Sequence, residues 1–314
     1  MESTVNMYVC AVPVATVWTA PESAREMDAP GISRPVHLNK WLEKLPYEDR
    51  LDLCNANRIQ TQLLYGEPVI VDEVMGEWAK VIAVWQSSKK DDRGYPGWVP
   101  VVQLKKAEPL EEAGGFIRIT EDKAQLWNKD GTPFLLIPFN TILPLINEND
   151  TFYTVETPDG ERAVRKEDAV RAASVHQFEK KAADMAVELG MQFLDLPYLW
   201  GGMSSYGYDC SGFTYNMLKA CGHLIPRDAS DQATAGIEVP IDNPSMWKKG
   251  DLLFFANNEG TGPVRHVGFY YGDGLLLHSH STGLPIEVLQ LKGSKLEHEL
   301  CAVRRYGIDE GDIL

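Results

Sequence analysis

The sequence predicts an α+β protein in which two small β-rich domains precede a domain of mixed helix and sheet. Three observations carry this prediction. Residues 60–172 contain many short apolar runs that are separated by turns rich in Gly, Pro and Asp. Apolar residues at helical spacing follow Cys210, and two alternating segments come later in the chain. Because strands alternate with period two and helices repeat near 3.6 residues, the two regions predict different architectures.

The size and composition limit the class of protein. A length of 314 residues predicts two or three domains. A hydrophobic content of 44% and a charged content of 24% are typical of a soluble globular protein. No apolar stretch approaches the length of a transmembrane helix, and the N-terminus lacks the basic and apolar regions of a secretory signal. We therefore expect no membrane span and a cytoplasmic location.

The charge and the cysteines restrict the partners. A formal net charge of −15 argues against nucleic acid and against anionic surfaces such as membranes or intact wall. A small soluble substrate and a monomeric protein are expected instead. The five cysteines are odd in number and widely spaced, which fits neither a disulfide framework nor a zinc site. This pattern predicts a reducing compartment, with neither a metal nor an organic cofactor.

The β-rich part of the chain is expected to hold two small barrels. Residues 1–110 are predicted to contain an irregular start to about residue 30, a helical stretch at 36–56, and a first barrel whose strands begin near Gln60. A weaker set of short strands predicts a second barrel in residues 111–172.

The third domain is predicted to cover residues 173–314. Its first element is a helix over about 174–194, where apolar residues recur at helical spacing. The polar, Gly-containing segment 108–115 is the expected link between the two barrels.

A candidate nucleophile stands at the start of another predicted helix. Phe213, Met217, Leu218 and Cys221 fall at helical spacing after Cys210. The thiol would then lie at the positive end of a short helix, where a thiolate is stabilised and a lowered pKa is expected. The neighbouring side chains of Asp209 and Ser211 are available as helix caps.

A candidate base comes from a distant segment. His266 begins an alternating run that ends at the turn 272–274, and the next run ends at His278. Two strands joined by a tight turn form a hairpin, so the two histidines can face the same side. An imidazole beside a thiol, with a second polar group that orients the first ring, is the cysteine version of a catalytic triad. His280 competes with His278 for the orienting role.

Six short motifs occur in one order within residues 173–314. They are Tyr198-x-Trp200-Gly201-Gly202, Asp209-Cys210-Ser211-Gly212-Phe213, Arg227-Asp228, Gly250-Asp251-Leu252-Leu253-Phe254-Phe255, His266-Val267-Gly268 and Leu277-His278. Together they resemble the NlpC/P60 cysteine peptidases, although each motif alone would be weak evidence. The chain departs from the family pattern at Ala229, where many relatives carry a hydroxyl residue after the Arg-Asp pair.

The resemblance implies a fold and a catalytic set. The expected fold is a papain-like α+β core, in which the cysteine helix packs on an antiparallel sheet that carries the histidines. Cys210 is the implied nucleophile, His266 the base and His278 the residue that orients His266. The implied reaction is hydrolysis of an amide bond in bacterial cell-wall peptides.

Several other residues are candidate substrate contacts. Tyr198 and Trp200 are expected to line the cleft, and Asp228 is expected to reach the substrate pocket. Asp209 and Ser211 are also candidates, since Asp209 would either cap the helix or bind the substrate amine. The oxyanion donor is expected to be a backbone N–H group, for which that of Cys210 is a candidate.

The first predicted barrel also resembles a known module. The segments Tyr65-Gly66-Glu67-x-Val69, Trp78-Ala79-Lys80-Val81 and Gly97-Trp98-Val99 resemble a bacterial SH3-like domain. Two such domains before an NlpC/P60 domain resemble the cytoplasmic murein-recycling endopeptidases of the YkfC type. This implies cleavage of the γ-D-glutamyl–L-diamino acid bond (with diaminopimelate or lysine) in stem peptides that begin with free L-Ala. Glu67 or Tyr95 would accept hydrogen bonds from that free ammonium group.

Three alternative functions stay open at this point. One is hydrolysis of polymeric peptidoglycan, with the SH3-like domains as wall anchors, although the missing signal and the charge of −15 argue against it. Another is a non-catalytic protein that binds murein peptides, against which the intact Cys210, His266 and His278 argue. The third is an acyltransferase, because a thioester can pass its acyl group to an amine instead of water.

Overall fold

The computed structural model describes residues 6–107 and 114–307, and the chain divides into two compact units. The first unit extends to Phe178 and includes Met203–Tyr206, and the second comprises Glu179–Gly202 and the residues from Gly207 onwards. The expected domain boundary at residues 110 and 111, most of the expected link, and the first five residues lie outside the described residues. No helix in the part of the chain that the structure describes has the length and hydrophobicity that a membrane crossing requires.

The first unit begins with a seven-stranded antiparallel sheet. Its elements in chain order are β1 (Met7–Cys10), β2 (Val14–Trp18), α1 (Ala29–Ile32), α2 (Leu38–Lys44), α3 (Tyr47–Asn55), β3 (Ile59–Leu64), β4 (Pro68–Met75), β5 (Trp78–Ala83), β6 (Tyr95–Pro100) and β7 (Leu104–Lys106). The strand order is β3-β2-β6-β5-β4-β1-β7. Valine is the commonest residue of its core, in which Val17, Val69 and Val81 are fully buried.

A second seven-stranded antiparallel sheet follows in the same unit. Its strands are β8 (Phe116–Ile119), β9 (Lys123–Trp127), β10 (Pro133–Pro138), β11 (Ile142–Glu148), β12 (Phe152–Val155), β13 (Arg162–Arg165) and β14 (Ala169–Ala172). Their order, β10-β9-β13-β12-β11-β8-β14, repeats that of the first sheet strand for strand. The prediction of two SH3-like domains is therefore confirmed, and the three helices are an insertion between the second and third strands of the first copy.

The expectation of an irregular start is wrong for the described residues. β1 and β2 occupy positions 7–18, because Pro13 lies in the turn between the strands and interrupts neither. Val9 and Val14 beside this turn are buried. Prolines mark strand ends as readily as irregular chain, so the proline count alone was misleading here.

The second unit contains the helices and sheet of the third predicted domain. In chain order the remaining elements are α4 (Asp184–Met191), β15 (Met203–Ser204, in the first unit), β16 (Gly207–Tyr208), α5 (Cys210–Ala220), α6 (Ala229–Gln232), β17 (Ile237–Val239), β18 (Leu252–Ala256), β19 (Val264–Gly272), β20 (Leu275–Ser279), β21 (Ile286–Gln290), α7 (Lys295–Glu299) and β22 (Leu300–Arg305). The antiparallel sheet has the order β17-β22-β18-β19-β20-β21. α5 packs on β19 and β20 and against α4, which confirms the α+β prediction.

The helix expected over residues 174–194 is shorter than predicted. Only Asp184–Met191 is helical, and Phe178 packs instead against Phe116, Ile142 and Ala172 of the second sheet. The apolar residues at helical spacing thus belong to two different cores, and this distinction is absent from a one-dimensional pattern.

Candidate active site

Cys210 is the first residue of α5, and its position depends on the residue before it. The Oδ1 of Asp209 accepts a hydrogen bond of 2.6 Å from the N–H of Gly212, which caps the helix. Every residue of α5 is buried, and Phe213 packs edge to face on Phe269 of β19. The helix therefore holds the thiol in a fixed place against the sheet.

A buried ion pair supports this cap. The guanidinium of Arg227, which is 2% exposed, donates to Oδ2 of Asp209 at 2.6 Å and to Oγ of Ser211 at 2.8 Å. Asp209 also accepts from the N–H of Gly201 at 3.1 Å. The capping role proposed for Asp209 is thus present, and both Asp209 and Ser211 are engaged inside the protein. Whether either contacts substrate as well stays a prediction.

The two predicted catalytic histidines lie side by side. Nε2 of His266 is 2.7 Å from Nδ1 of His278, and the ring centroids are 5.0 Å apart. Both residues are buried. Because this contact uses Nε2, Nδ1 is the nitrogen of His266 that is left for proton exchange with a reacting group. The backbone of Val267, the next residue of β19, is close enough to the Cys210 thiol to lower its pKa, so this strand also reaches the nucleophile.

The strand register explains why the histidines meet. Phe269 pairs with Leu277, and Tyr270 pairs with Leu276, so the even-numbered residues of β19 and β20 share one face. A Cβ on Gly268 would stand 2.8 Å from Cβ of His278, which is closer than side chains approach. The absence of a side chain at Gly268 therefore leaves room for the Cβ atom of His278 on the neighbouring strand.

The alternative orienting residue occupies a different place. His280 lies just beyond the end of β20, its ring is 6.4 Å from that of His266, and its Nδ1 contacts Oγ of Ser281. The geometry therefore assigns the contact with His266 to His278, and leaves His280 at the half-exposed strand end.

Burial governs the charges of the catalytic groups. It raises the pKa of the Cys210 thiol to about 12, with a smaller contribution from the Asp209 carboxylate. It also lowers the pKa of His266 well below its usual value, and proximity of His278 adds to this effect. The expectation of a lowered pKa for the thiol at this helix terminus is wrong, since burial raises that pKa. A catalytic thiolate at this position therefore requires a base that takes its proton.

Burial alone does not identify the nucleophile. Cys10, in β1 of the first sheet, also has its pKa raised to about 12 by burial, and Cys221 is fully buried after the end of α5. What distinguishes Cys210 is its place at a helix N-terminus beside the strand that carries a histidine base.

The other predicted contact residues are distributed over both units. Tyr198 is buried and Trp200 is partly buried in the second unit, on the segment that precedes α5. Asp228 is half-buried beside the Arg227 guanidinium, at 3.7 Å, and stands just before α6. All three are close in sequence to the helix or its ion pair, and their substrate roles stay predictions.

Glu67 and Tyr95 belong to the first sheet. Glu67 is buried, and its two carboxylate oxygens accept hydrogen bonds from Leu64 N–H at 3.0 Å and from the side-chain amide of Gln86 at 2.8 Å. Tyr95 lies in β6 and is buried, and its hydroxyl contacts the ammonium of Lys90. Glu67 therefore has a structural role in the turn before β4. The proposed contact of either residue with a substrate amine stays a prediction.

Two residues of the site were not singled out from the sequence. Arg227 holds Asp209 and Ser211, and Gln232 of α6 donates to the carbonyl of Ser211 at 3.1 Å and accepts from Thr214 at 2.9 Å. Arg227 stands in a motif that was recognised, so its burial beside Asp209 could have been suspected from the need to pair buried charges. Gln232 gives no such indication in the sequence.

A helix-borne cysteine against an antiparallel sheet that carries two touching histidines defines a cysteine peptidase of the papain-like class. The NlpC/P60 family model matches residues 195–305, and a model described as the YkfC SH3b2 domain matches residues 119–170. Together with relatives that are similar over nearly the whole chain, these matches show that the chain belongs to the NlpC/P60 family of cysteine peptidases.

Known relatives share nearly the whole chain. A γ-D-glutamyl-L-lysine dipeptidyl-peptidase of Bacillus subtilis is 46% identical over 95% of this chain and 98% of its own length. A protein of the same name from Bacillus cereus is 37% identical over 94% of this chain and 89% of its own length. The crystal structure of an NlpC/P60 family protein from Bacillus cereus superposes with a TM-score of 0.90 at 36% identity, covering 96% of this chain and all of that one.

Proposed function

We propose that this enzyme hydrolyses the bond between γ-D-glutamate and the L-diamino acid of murein stem peptides that begin with free L-Ala. The proposal rests on the contact between His266 and His278, and on the proximity of Val267, which follows His266 in β19, to the Cys210 thiol. The substrate comes from the names of two relatives that match this chain over nearly its full length.

The chemistry begins with a coupled proton transfer. Nδ1 of His266 takes the thiol proton of Cys210 as the sulfur attacks the γ-glutamyl carbonyl carbon. Nε2–H of His266 donates to Nδ1 of His278 throughout, which fixes the ring orientation and stabilises the imidazolium. The imidazolium then gives its proton to the departing amine of the diamino acid. Water, activated by the neutral ring, hydrolyses the remaining thioester.

The start of α5 supplies a place for the negative charge that develops on the carbonyl oxygen. The first N–H groups of an α-helix have no acceptor within the helix and point along its axis. The N–H of Cys210 is therefore proposed as an oxyanion donor. The Gly212 N–H is already used by the Asp209 cap and does not contribute.

We also propose a free, soluble substrate and a place for the reaction. A dipeptidyl-peptidase releases a dipeptide from a free N-terminus, and both named relatives carry that description. A net charge of −15 disfavours approach to anionic polymeric wall, and a small peptide meets a weaker barrier. Action on released peptides in the cytoplasm, as part of cell-wall peptide recycling by a monomeric enzyme, is consistent with both points.

A substrate panel tests the proposal. The purified protein is incubated with L-Ala-γ-D-Glu-L-Lys, its diaminopimelate counterpart, the N-acetylated tripeptide and intact sacculi, and products are identified by mass. We expect release of L-Ala-γ-D-Glu from the free peptides, and turnover lower by roughly tenfold or more for the N-acetylated one, because a charged hydrogen bond is lost. Cleavage of sacculi in preference to free peptides would contradict the proposal.

Two variants make the panel specific for the assigned nucleophile. Cys210→Ala should abolish cleavage while the thermal unfolding profile stays close to that of the parent protein. Cys54→Ala is the matched control, since it removes a thiol from α3 of the first sheet region and should leave turnover intact. Retained cleavage in Cys210→Ala would refute the assignment of the nucleophile.

A further inference from the structure

A second cluster of potential ligands lies behind the catalytic histidines. Nε2 of His278 is 3.8 Å from Oε1 of Glu287, and Nε2 of His280 is 3.9 Å from the same oxygen. The three atoms all lie within 4.8 Å of one another. The register of β20 and β21 creates this arrangement, because His278 pairs directly with Glu287 and His280 follows two residues later on the same face.

One atom of this cluster is left without a hydrogen bond. Within the part of the chain that the structure describes, Nε2 of His278 is buried and has no partner, although the opposite nitrogen of the ring is bound to His266. His278 is 0% exposed, so bulk solvent does not reach its free nitrogen. A buried polar atom in this state calls for an explanation, and an ion is one of those that satisfy it. The Glu287 carboxylate at 3.8 Å is too far away to serve as its partner.

The donor set matches a divalent transition metal. Two imidazoles and one carboxylate with a free fourth position form a common zinc site. Bonds of about 2.0–2.1 Å place tetrahedral ligand atoms roughly 3.4 Å apart. The two nitrogen–oxygen separations of 3.8 and 3.9 Å therefore need to shrink by about half an ångström. The separation of the two Nε2 atoms, which is at most 4.8 Å, needs to shrink by at most about 1.4 Å. The His280 and Glu287 side chains are 32% and 39% exposed, which leaves them free to make that adjustment and leaves the ion a path from solvent.

We propose that Nε2 of His278, Nε2 of His280 and Oε1 of Glu287 form a binding site for Zn²⁺ or a similar divalent transition metal ion, and that occupation of this site inhibits the peptidase. The inhibitory part rests on the proposed function, whereas the binding part does not.

Inhibition follows from the positions of the ring protons. In the active arrangement Nε2–H of His266 donates to Nδ1 of His278, so the proton of the neutral His278 ring is on Nε2. A metal ion on Nε2 moves that proton to Nδ1, which then donates to Nε2 of His266. The proton of His266 must in turn stand on Nδ1, the nitrogen that has to accept the thiol proton of Cys210. No proton is gained or lost, but the base is converted into a donor.

Direct binding decides whether the site exists. Zn²⁺ is titrated by calorimetry into Cys210→Ala, which lacks the competing thiolate ligand, and Co²⁺ is bound to the same protein as a spectroscopic probe. We expect one ion per chain, with ligand-field absorption of a four-coordinate ion and no thiolate-to-cobalt charge-transfer band. Adding Glu287→Gln or His280→Asn should weaken binding by roughly tenfold or more, while His298→Asn, in the exposed part of α7, should not. Unchanged binding in both Glu287→Gln and His280→Asn would overturn the proposal.

Activity then tests the inhibitory part. Zn²⁺ should reduce hydrolysis of L-Ala-γ-D-Glu-L-Lys by the parent protein reversibly, with recovery on addition of a chelator. Glu287→Gln and His280→Asn should retain turnover and require at least roughly tenfold more Zn²⁺ for the same inhibition. Equal sensitivity of these variants would place the inhibitory ion on Cys210 and refute the mechanism. If neither the parent protein nor the two variants cleave the peptide, the proposed function is wrong. The binding isotherms would still show whether the metal site exists.

Discussion

Removal of the Arg227 charge should destabilise the second unit strongly. Arg227→Met keeps much of the side-chain volume but leaves the Asp209 carboxylate, which is 6% exposed, without its positive partner. It also deletes the 2.8 Å hydrogen bond to Oγ of Ser211. Both losses fall at the first turn of α5, which carries the nucleophile.

The distance between the charges sets the expected magnitude. At 2.6 Å and an effective dielectric constant of about 20, the attraction between the two ions is about 6 kcal/mol. Desolvation of both groups offsets part of this attraction, so removal of one partner costs about 3–5 kcal/mol. For a unit of this size the loss corresponds to a fall in Tm of roughly 10 °C or more. Turnover should fall as well, because Arg227 lowers and Asp209 raises the pKa of Cys210.

A double-mutant cycle separates the charge from the packing. Asp209→Asn combined with Arg227→Met removes both charges and keeps a good N-cap, so it should recover at least half of the lost stability. Arg227→Lys is the matched control, which retains the charge but cannot bind Asp209 and Ser211 with one planar group. Thermal unfolding is followed together with hydrogen exchange of the α5 amides, which assigns the transition. A stability of Arg227→Met within about 1 kcal/mol of the parent protein would refute the reasoning.

Three further predictions concern the catalytic histidines and their surroundings. His278→Gln should lower kcat by roughly 100-fold or more with little change in KM, because the base loses its orientation; turnover near the parent value would assign that role elsewhere. Gly268→Ala should cost about 1–3 kcal/mol and lower kcat, since the added Cβ meets His278 at 2.8 Å; an unchanged Tm and kcat would contradict the packing. In His266→Gln, the alkylation rate of Cys210 is measured by iodoacetamide labelling and peptide mass. The rate should rise about tenfold for each pH unit between about pH 7 and pH 10, because a thiol without its base partner has a pKa of about 12. A plateau of the rate in this range would show that the thiolate is stable without the imidazole.

The lowered pKa of the buried His278 predicts that the second unit is sensitive to acid. Burial, with a smaller effect of His280, lowers the pKa of His278 from 6.5 to about 3. Between these two pH values the unfolded chain binds a proton on this ring and the folded chain does not. Stability from this group is complete above the unfolded pKa near 6.5 and declines as the pH falls, by about 1.4 kcal/mol per unit, until about pH 3. Thermal unfolding at several pH values measures the decline, and His278→Gln should make it shallower. An equal slope in both proteins would show that other groups cause it.

Much of the fold was accessible from local patterns. The short strands of both SH3-like sheets and the helix after Cys210 follow from periodicity and turn residues, which are local properties. The prediction of a helix over residues 174–194 failed because it depends on tertiary contacts. Val175 and Phe178 have helical spacing relative to α4, yet Phe178 is drawn to the core of the second sheet. Which core an apolar residue joins depends on tertiary contacts that no window of sequence contains.

The candidate site also contains features that local sequence predicts and features that depend on the folded chain. The chain order of Cys210, His266 and His278 indicated a thiol with an imidazole base, and the resemblance to the NlpC/P60 family supplied the role of each residue. The structure adds the choice of His278 over His280, the 2.7 Å contact and the engagement of Asp209 by Arg227. These depend on strand register and on the pairing of buried charges, so they could not be read from spacing. The pKa of Cys210 likewise depends on burial, which only the folded chain determines.

The pairing of β19 with β20 has a consequence for how enzyme preparations behave. Side chains on neighbouring positions of a strand point to opposite faces, so a slip of one residue would turn His278 away from His266 altogether. No intermediate arrangement keeps the rings partly in contact. Molecules with the wrong strand alignment would thus be inactive instead of partly active. An active-site titration of this peptidase would therefore measure the fraction of molecules in which the hairpin is correctly aligned.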